Sequence, residues 1–199
     1  MNLGASNEPR RRCGSQLSAS PLGSTAEDVS RVPSIRKLDP HEWRVYRDLR
    51  LRSLAESPDV FATTLAEAQQ RSDADWQRQV ASRADSRSQA ALVAEIEAQQ
   101  VALAWCQFDD SNPNRVHLFQ MWVHPSFRRL GIARELLNVA IRWAATQEAQ
   151  EIVLSVPSRQ SAAVRLYSSA GFLPVGDLQP LRPGSELLAQ TMKLDLRAA

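Results

Sequence analysis

Cysteine is almost absent from this chain of 199 residues, in which Cys13 and Cys106 are the only two. Two cysteines, one of them in a polar N-terminal segment, provide neither a disulfide framework nor a thiolate metal site. The three histidines are scattered and lack the spacing of a zinc-binding helix. We therefore predict no metal cofactor and expect a reducing, cytoplasmic setting.

Long apolar runs and an excess of one charge are also missing. The longest apolar runs fall far short of the ~20 residues that cross a membrane, and the N-terminus has no apolar signal-peptide core. The net charge is +2, and acids are interspersed with the arginines, although Arg10–Arg12 form a short basic run. A nucleic-acid interface requires a clustered basic face. We therefore expect neither a membrane nor a nucleic acid as a partner.

The composition that remains is that of a globular protein with one domain. The hydrophobic content is 43%, and the length suffices for one core of ordinary size. Residues 1–31 are rich in Ser, Gly, Pro and Arg and show no periodicity. We predict that 1–31 is a disordered tail and that 32–199 form the domain.

The order of predicted elements indicates a layered fold. A short strand near Ser34–Leu38 leads to a helix with a capping box at Asp39, Pro40 and Glu42, and a second helical region, interrupted by "RSDAD", runs to about Arg83. The remaining predicted elements, in chain order, are the strands "AALVAEIE", "QVALAWCQF" and "RVHLFQMWV", a long helix after Gly131, the strand "EIVLSV", the helix "SAAVRLYSSA" and a last strand near Leu188–Leu194. This order predicts an α/β or α+β layer fold with a mixed sheet.

A basic turn joins the third long strand to the long helix, in the stretch "QMWVHPSFRRLGIARELLNVAIRWA". A helix N-terminus presents unpaired backbone N–H groups and a partial positive charge. Gly131 and Ala133 lack bulky side chains, so the space in front of these amides, including the amide of Ile132, stays open for an anion. Arg128 and Arg129 add cationic groups that suit a diphosphate. The pattern fits an anion site, although an ordinary strand–turn–helix with solvated arginines has the same local features. Neither a P-loop nor a dinucleotide-binding fingerprint is present.

Two motifs resemble those of the GCN5-related N-acetyltransferase (GNAT) family. "MWVHPSFRRLGIA" closely resembles the family's motif A, and "LSVPSRQSAAVRLYSSAGF" resembles a downstream motif, with Gln160 where the family usually has Asn. "RDLRLRSLAESPDVFATTLAEA" looks like the first helix and substrate loop of a bacterial subgroup. Together the similar segments cover roughly residues 34–196. The resemblance implies a GNAT-type mixed, mostly antiparallel sheet flanked by helices.

The resemblance also implies how acetyl-CoA, the acetyl donor, would be held. In the family, the glycine turn binds the pyrophosphate, and the strand before it splays from its neighbour so that its amides pair with the pantetheine arm. On this sequence the resemblance assigns the pantetheine-binding role to Met121 and Val123, and one amide there would polarise the thioester carbonyl. Tyr167 occupies the family's general-acid position and would protonate the leaving thiolate.

The general base is left open by the sequence. A histidine with an ordinary pKa near ~6.5 is a serviceable base at neutral pH, so His117 on the third long strand is one candidate. A lone strand histidine is more often exposed or structural. Glu95 lies on the preceding hairpin, and His124 next to the turn is less favoured.

The acceptor side of the site gives a weaker signal. An amine site favours a carboxylate, and Glu56, Asp59 and Glu67 lie near the expected substrate loop. We predict an N-acetyltransferase in which a primary amine of a small molecule or peptide attacks acetyl-CoA directly in a ternary complex. The alternative is a noncatalytic acyl-CoA-binding regulatory module on the same fold. The oligomeric state is open, with a homodimer as one arrangement.

Overall fold

The computed structural model describes residues 32–84, 88–158 and 161–197, and the predicted tail at 1–31 lies outside them. Within these ranges, seven strands form one sheet. Their bounds are β1 Ser34–Lys37, β2 Gln89–Ile96, β3 Gln99–Phe108, β4 Arg115–Val123, β5 Glu151–Pro157, β6 Leu173–Pro180 and β7 Leu188–Asp195.

In the part of the chain that the structure describes, five α-helices accompany the sheet, and their starts follow from side-chain caps where the sequence provides them. Their bounds are α1 Trp43–Glu56, α2 Leu65–Gln69, α3 Asp73–Ala84, α4 Ile132–Thr146 and α5 Ser161–Ser169. The predicted capping box at Asp39 and Glu42 is present and starts a single 3₁₀ turn that leads into α1. The predicted interruption by "RSDAD" is also confirmed, because the Ser72 and Asp75 side chains bond each other's backbone N–H and start α3.

The strands lie in the order β1-β2-β3-β4-β5-β7-β6. Neighbouring pairs are antiparallel except β4 and β5, which are parallel and are joined by the crossover helix α4. The predicted mixed, mostly antiparallel sheet flanked by helices is therefore confirmed. One strand, β6, was not predicted. It lies at the sheet edge and is largely exposed, and its Pro174, Gly176 and Pro180 argue against a strand when only the sequence is considered.

Both faces of the sheet are buried, which explains the continuous apolar runs in its central strands. In β2, Leu92 packs into the cluster on the α4 and α5 face, whereas Val93 packs into the cluster on the α1 to α3 face. In α4 the buried positions fall on one stripe, at Leu136, Leu137 and Ala140. No helix in the described part of the chain has the length and apolarity needed to cross a membrane.

Candidate active site

A β-bulge in β4 changes which side chains face each side of the sheet. Phe119 pairs with Trp105 but Trp122 pairs with Leu103, so β4 contains one extra residue between these two pairs. Gln120 has φ +57°, and Tyr46 donates a hydrogen bond of 2.8 Å from its hydroxyl to the Gln120 amide oxygen. The bulge therefore shifts the alternation of side chains over the last three residues of β4.

This shift brings Met121 and Val123 to the α4 face and turns Trp122 to the α1 face. Beyond the bulge, β4 also loses its parallel neighbour. The pairing with β5 ends at Leu118 opposite Leu154, although β5 continues to Pro157 in register with β7. The splay expected from the resemblance is thus present, and the backbone after Leu118 borders a gap on its β5 side.

The basic turn adopts two left-handed conformations in quick succession. Arg129 has φ +65°, and Gly131, the residue before the first turn of α4, has φ +80°. A Cβ added to Gly131 would meet no protein atom within 4 Å. The protein itself therefore requires glycine here for its backbone conformation, and the space in front of it is open for a ligand. The α4 N-terminus directs its unpaired amides into this space.

A cavity of about 790 Å³ lies between the splayed strand, the turn and α5. All seven predicted cofactor-binding residues and the predicted acid Tyr167 line it, and they come from β4, the basic turn, α4 and α5. The predicted residues on its wall are Met121, Val123, Arg128, Arg129, Gly131, Ile132, Ala133 and Tyr167. Each predicted cofactor-binding residue therefore faces one common space.

Tyr167 lies on α5 and is buried against the end of β4. Its hydroxyl donates to the Met121 sulfur at 3.6 Å, and its ring lies 5.8 Å from that of Phe172. Burial raises the pKa of Tyr167 to about 12, so the hydroxyl keeps its proton at neutral pH. Tyr167 is thus a hydrogen-bond donor at the end of the splayed strand.

Glu56, the last residue of α1, joins the start of the loop after α1 to the basic turn. Its Oε2 receives hydrogen bonds from Trp122 Nε1 at 2.9 Å and from Arg128 Nη2 at 2.7 Å, and from the Ser57 hydroxyl. Burial raises the pKa of Glu56, but the three hydrogen bonds outweigh it and lower the pKa overall. Glu56 is therefore an anion in the cavity wall.

His117 does not line this cavity. Its Nε2 lies 2.8 Å from Asp109 Oδ2, and its ring stacks on Phe119 at 5.3 Å. His117 precedes the bulge on β4, so the sheet carries it away from the splayed segment. Its assignment as base stays a prediction to which this geometry adds no support.

The other carboxylates named from the sequence separate into two groups. Glu56 and Asp59 line the cavity, whereas Glu67 caps α2 through Thr64 and Glu95 is bound by Arg36. Gln160 lies outside the described residues. No three His, Cys, Asp or Glu side chains come together as a metal site anywhere in the ranges that the structure describes.

The contacts that fix the loop after α1, the expected acceptor wall, could not be predicted from the sequence. The loop of residues 57–64 follows α1, and Arg182, between β6 and β7, donates from Nη1 to the carbonyl oxygens of Pro58 at 3.3 Å and Phe61 at 3.2 Å. Along the chain, Arg182 lies 124 residues from Pro58 and 121 residues from Phe61. Only a contact prediction between distant segments could have found this pairing.

Comparison with known proteins agrees with this geometry. The profile of the acetyltransferase (GNAT) family matches residues 49–172, more than half of the chain. Human N-acetyltransferase 8 is 27% identical over 151 residues, which make up 74% of this chain and 57% of that relative. The chain thus spans little more than half the length of the curated relative that it matches.

Solved structures share the fold at low sequence identity. A GNAT-family acetyltransferase of Streptococcus pneumoniae has a TM-score of 0.71 at 20% identity, over 82% of this chain and 99% of that one. The yncA protein of Salmonella typhimurium, solved with its cofactor acetyl-CoA, has a TM-score of 0.64 at 20% identity, over 82% and 94%. Spermidine N-acetyltransferase of Vibrio cholerae, in complex with CoA and spermine, has a TM-score of 0.68 at 18% identity, over 83% and 96%.

Proposed function

Because the chain belongs to the acetyltransferase (GNAT) family, we propose that it transfers the acetyl group of acetyl-CoA to a primary amine of a small molecule or peptide. One observation carries the proposal. The free side of the splayed β4 and the N-terminus of α4 open onto the same cavity. A thioester and a diphosphate would each find a matching backbone surface in that cavity.

The residues present fit acetyl-CoA as the donor. The left-handed turn at Gly131 and the first amides of α4 suit the pyrophosphate, and Arg129 adds a cation at the cavity wall. The backbone at Met121 and Val123 suits the pantetheine arm, which carries amides of its own. Acetyl-CoA supplies an activated acyl group, and this chain supplies its binding and orientation.

In the proposed reaction the neutral amine attacks the thioester carbonyl carbon, so that a C–N bond forms and the C–S bond breaks. A backbone N–H of the splayed segment donates to the carbonyl oxygen as negative charge develops there. Holding the amine and thioester together in one cavity supplies the orientation that a direct attack requires. The products are an N-acetylated amine and a thiol.

Tyr167 is proposed to donate its hydroxyl hydrogen to the departing sulfur. At a pKa of about 12 the tyrosine stays protonated, while a thiol has an ordinary pKa near ~8.5. Because the pKa of the tyrosine is higher than that of the thiol, a hydrogen bond from the hydroxyl to the thiolate is favoured over complete proton transfer. The attacking nitrogen releases one proton and the thiolate takes up one proton, so the amide and the thiol group formed are both neutral. No residue is assigned as the base that removes the proton from nitrogen.

Calorimetric titration with acetyl-CoA, followed by assay of free thiol release with a panel of primary amines, tests the proposal. We expect micromolar binding and turnover with at least one amine. Tight binding without turnover across monoamines, polyamines and peptide N-termini would favour the noncatalytic acyl-CoA-binding alternative. Absence of binding at millimolar acetyl-CoA would overturn both functions.

A further inference from the structure

One carboxylate oxygen of Glu56 accepts hydrogen bonds from two different parts of the cavity wall. Trp122 belongs to the splayed end of β4, and Arg128 belongs to the turn that faces the proposed pyrophosphate site. Both donate to the same Oε2, at 2.9 and 2.7 Å. Glu56, on the proposed acceptor wall, is therefore bonded to Arg128, the side chain that faces the proposed pyrophosphate site.

The Arg128 guanidinium makes one hydrogen bond to the backbone and one ion pair to a side chain. Its Nε donates to the Val123 carbonyl oxygen at 3.0 Å, which fixes the base of the guanidinium to the end of β4. Its Nη2 forms the ion pair with Glu56, and the side chains of this pair are 44% and 32% exposed. An ion pair this exposed contributes little, because solvent screens it. A diphosphate bound by the α4 N-terminus would compete effectively with a single carboxylate for Nη2.

We propose that Arg128 exchanges Glu56 for the cofactor pyrophosphate, and that the Glu56 carboxylate thereby becomes the binding group for the acceptor ammonium. The inference rests on the proposed function and assigns the acceptor-binding residue. The Nε bond to Val123 holds the guanidinium in place while its outer nitrogen changes partner. Trp122 and Ser57 continue to hold Glu56, so the released carboxylate stays in the wall of the cavity.

This exchange makes cofactor binding precede amine binding. Before the cofactor binds, Arg128 neutralises Glu56, and a cationic amine gains little from it. After the exchange, the pyrophosphate takes the arginine charge, and the carboxylate attracts an ammonium group next to the thioester. This ammonium loses one proton to solvent before the neutral amine attacks the thioester carbon. The same residue pair thus prevents a strong amine site from forming before the donor is bound.

Glu56→Gln, compared with Asp59→Asn, separates exchange from simple charge effects. Each change removes one negative charge from the same cavity wall, but only Glu56 pairs with Arg128. In calorimetric titrations with acetyl-CoA, we expect Glu56→Gln to bind about threefold to fivefold tighter than wild type, as release from an exposed ion pair allows. Asp59→Asn should change the affinity by less than about twofold.

Other results would overturn the exchange. Weaker binding by Glu56→Gln would mean that Glu56 orients Arg128 for the cofactor instead of competing with it. Equal gains in Glu56→Gln and Asp59→Asn would reduce the effect to charge alone. In a double-mutant cycle, Glu56→Gln added to Arg128→Gln should give no further gain, and a full gain there would also contradict the proposal.

Acceptor kinetics provide the second measurement. With the amine that turns over fastest in the panel, Glu56→Gln should raise KM about tenfold while its affinity for acetyl-CoA rises. An unchanged amine KM would remove Glu56 from the acceptor site. Failure of the wild-type protein to bind acetyl-CoA would instead overturn the proposed function, and the inference with it.

Discussion

The two walls of the cavity are built in different ways. The proposed cofactor wall consists mainly of backbone: a bulge at Gln120, a strand without its parallel neighbour, and a left-handed turn at Gly131 before α4. The proposed acceptor wall is the end of α1 and the loop after it, and it is held by two arginines from elsewhere in the chain: Arg182 donates to the loop, and Arg128 donates to Glu56. A backbone wall can bind an anionic cofactor through conformation alone, whereas a side-chain wall sets which acceptor fits.

The largest expected effect comes from closing the backbone wall at Gly131. Gly131→Glu places a carboxylate where we propose that the diphosphate lies, and we expect acetyl-CoA affinity to fall about 100-fold or more from repulsion and lost space. Gly176→Glu is the matched control, because Gly176 also has positive φ and an open Cβ direction but lies outside the cavity lining. Both variants carry the strain of a left-handed side chain. Equal affinities in the two variants, measured by calorimetry, would remove the anion site from the turn.

Tyr167→Phe tests chemistry at the cofactor wall. The hydroxyl contacts Met121 only through a long bond to sulfur, so its removal leaves the packing almost intact. We expect kcat to fall about 30-fold, because the leaving thiolate loses its donor, while acetyl-CoA affinity and amine KM change little. Steady-state kinetics at saturating cofactor decide the matter. A wild-type kcat in this variant would show that the thiolate leaves unaided.

The bulge allows the backbone character of this wall to be tested directly. Gln120→Gly retains a residue that adopts φ +57° readily, whereas Gln120→Val introduces a β-branched side chain that resists it. Both variants lose the hydrogen bond from Tyr46. We expect Gln120→Val to weaken acetyl-CoA binding about tenfold by returning β4 toward regular alternation. Gln120→Gly should stay within about twofold of wild type. Similar losses in both would mean that the hydrogen bond matters and the bulge does not.

The contrast between the walls also explains what could be predicted from the sequence. The glycine turn and the N-terminus of α4 follow from neighbouring residues, because turns and helix starts depend on local backbone preference. The roles of Met121, Val123 and Tyr167 were implied by the resemblance alone. The assignment of these residues to one cavity needed the resemblance as well, since spacing alone does not tell where strands diverge.

What the sequence left out depends on distant contacts. Glu56 and Arg128 are separated by 72 residues, so their pairing has no local pattern. His117 was considered as a base because of its strand, but the bulge separates its position from that of Met121. The edge strand β6 was missed because Pro174 and Pro180 disfavour a strand, and an edge position with one partner tolerates them.

The smallest expected effect comes from loosening the acceptor wall at Arg182. Arg182→Ala removes both hydrogen bonds to the loop after α1, at Pro58 and Phe61, without touching the turn or α4. We expect the amine KM to rise about threefold to fivefold, because the loop then samples more conformations, with acetyl-CoA affinity unchanged. Arg78→Ala is the control, since Arg78 is an exposed arginine whose ion pair lies within α3. A loss of cofactor affinity in Arg182→Ala would contradict the division into two walls, because it would show that the loop after α1 also supports the backbone surface that we propose binds acetyl-CoA.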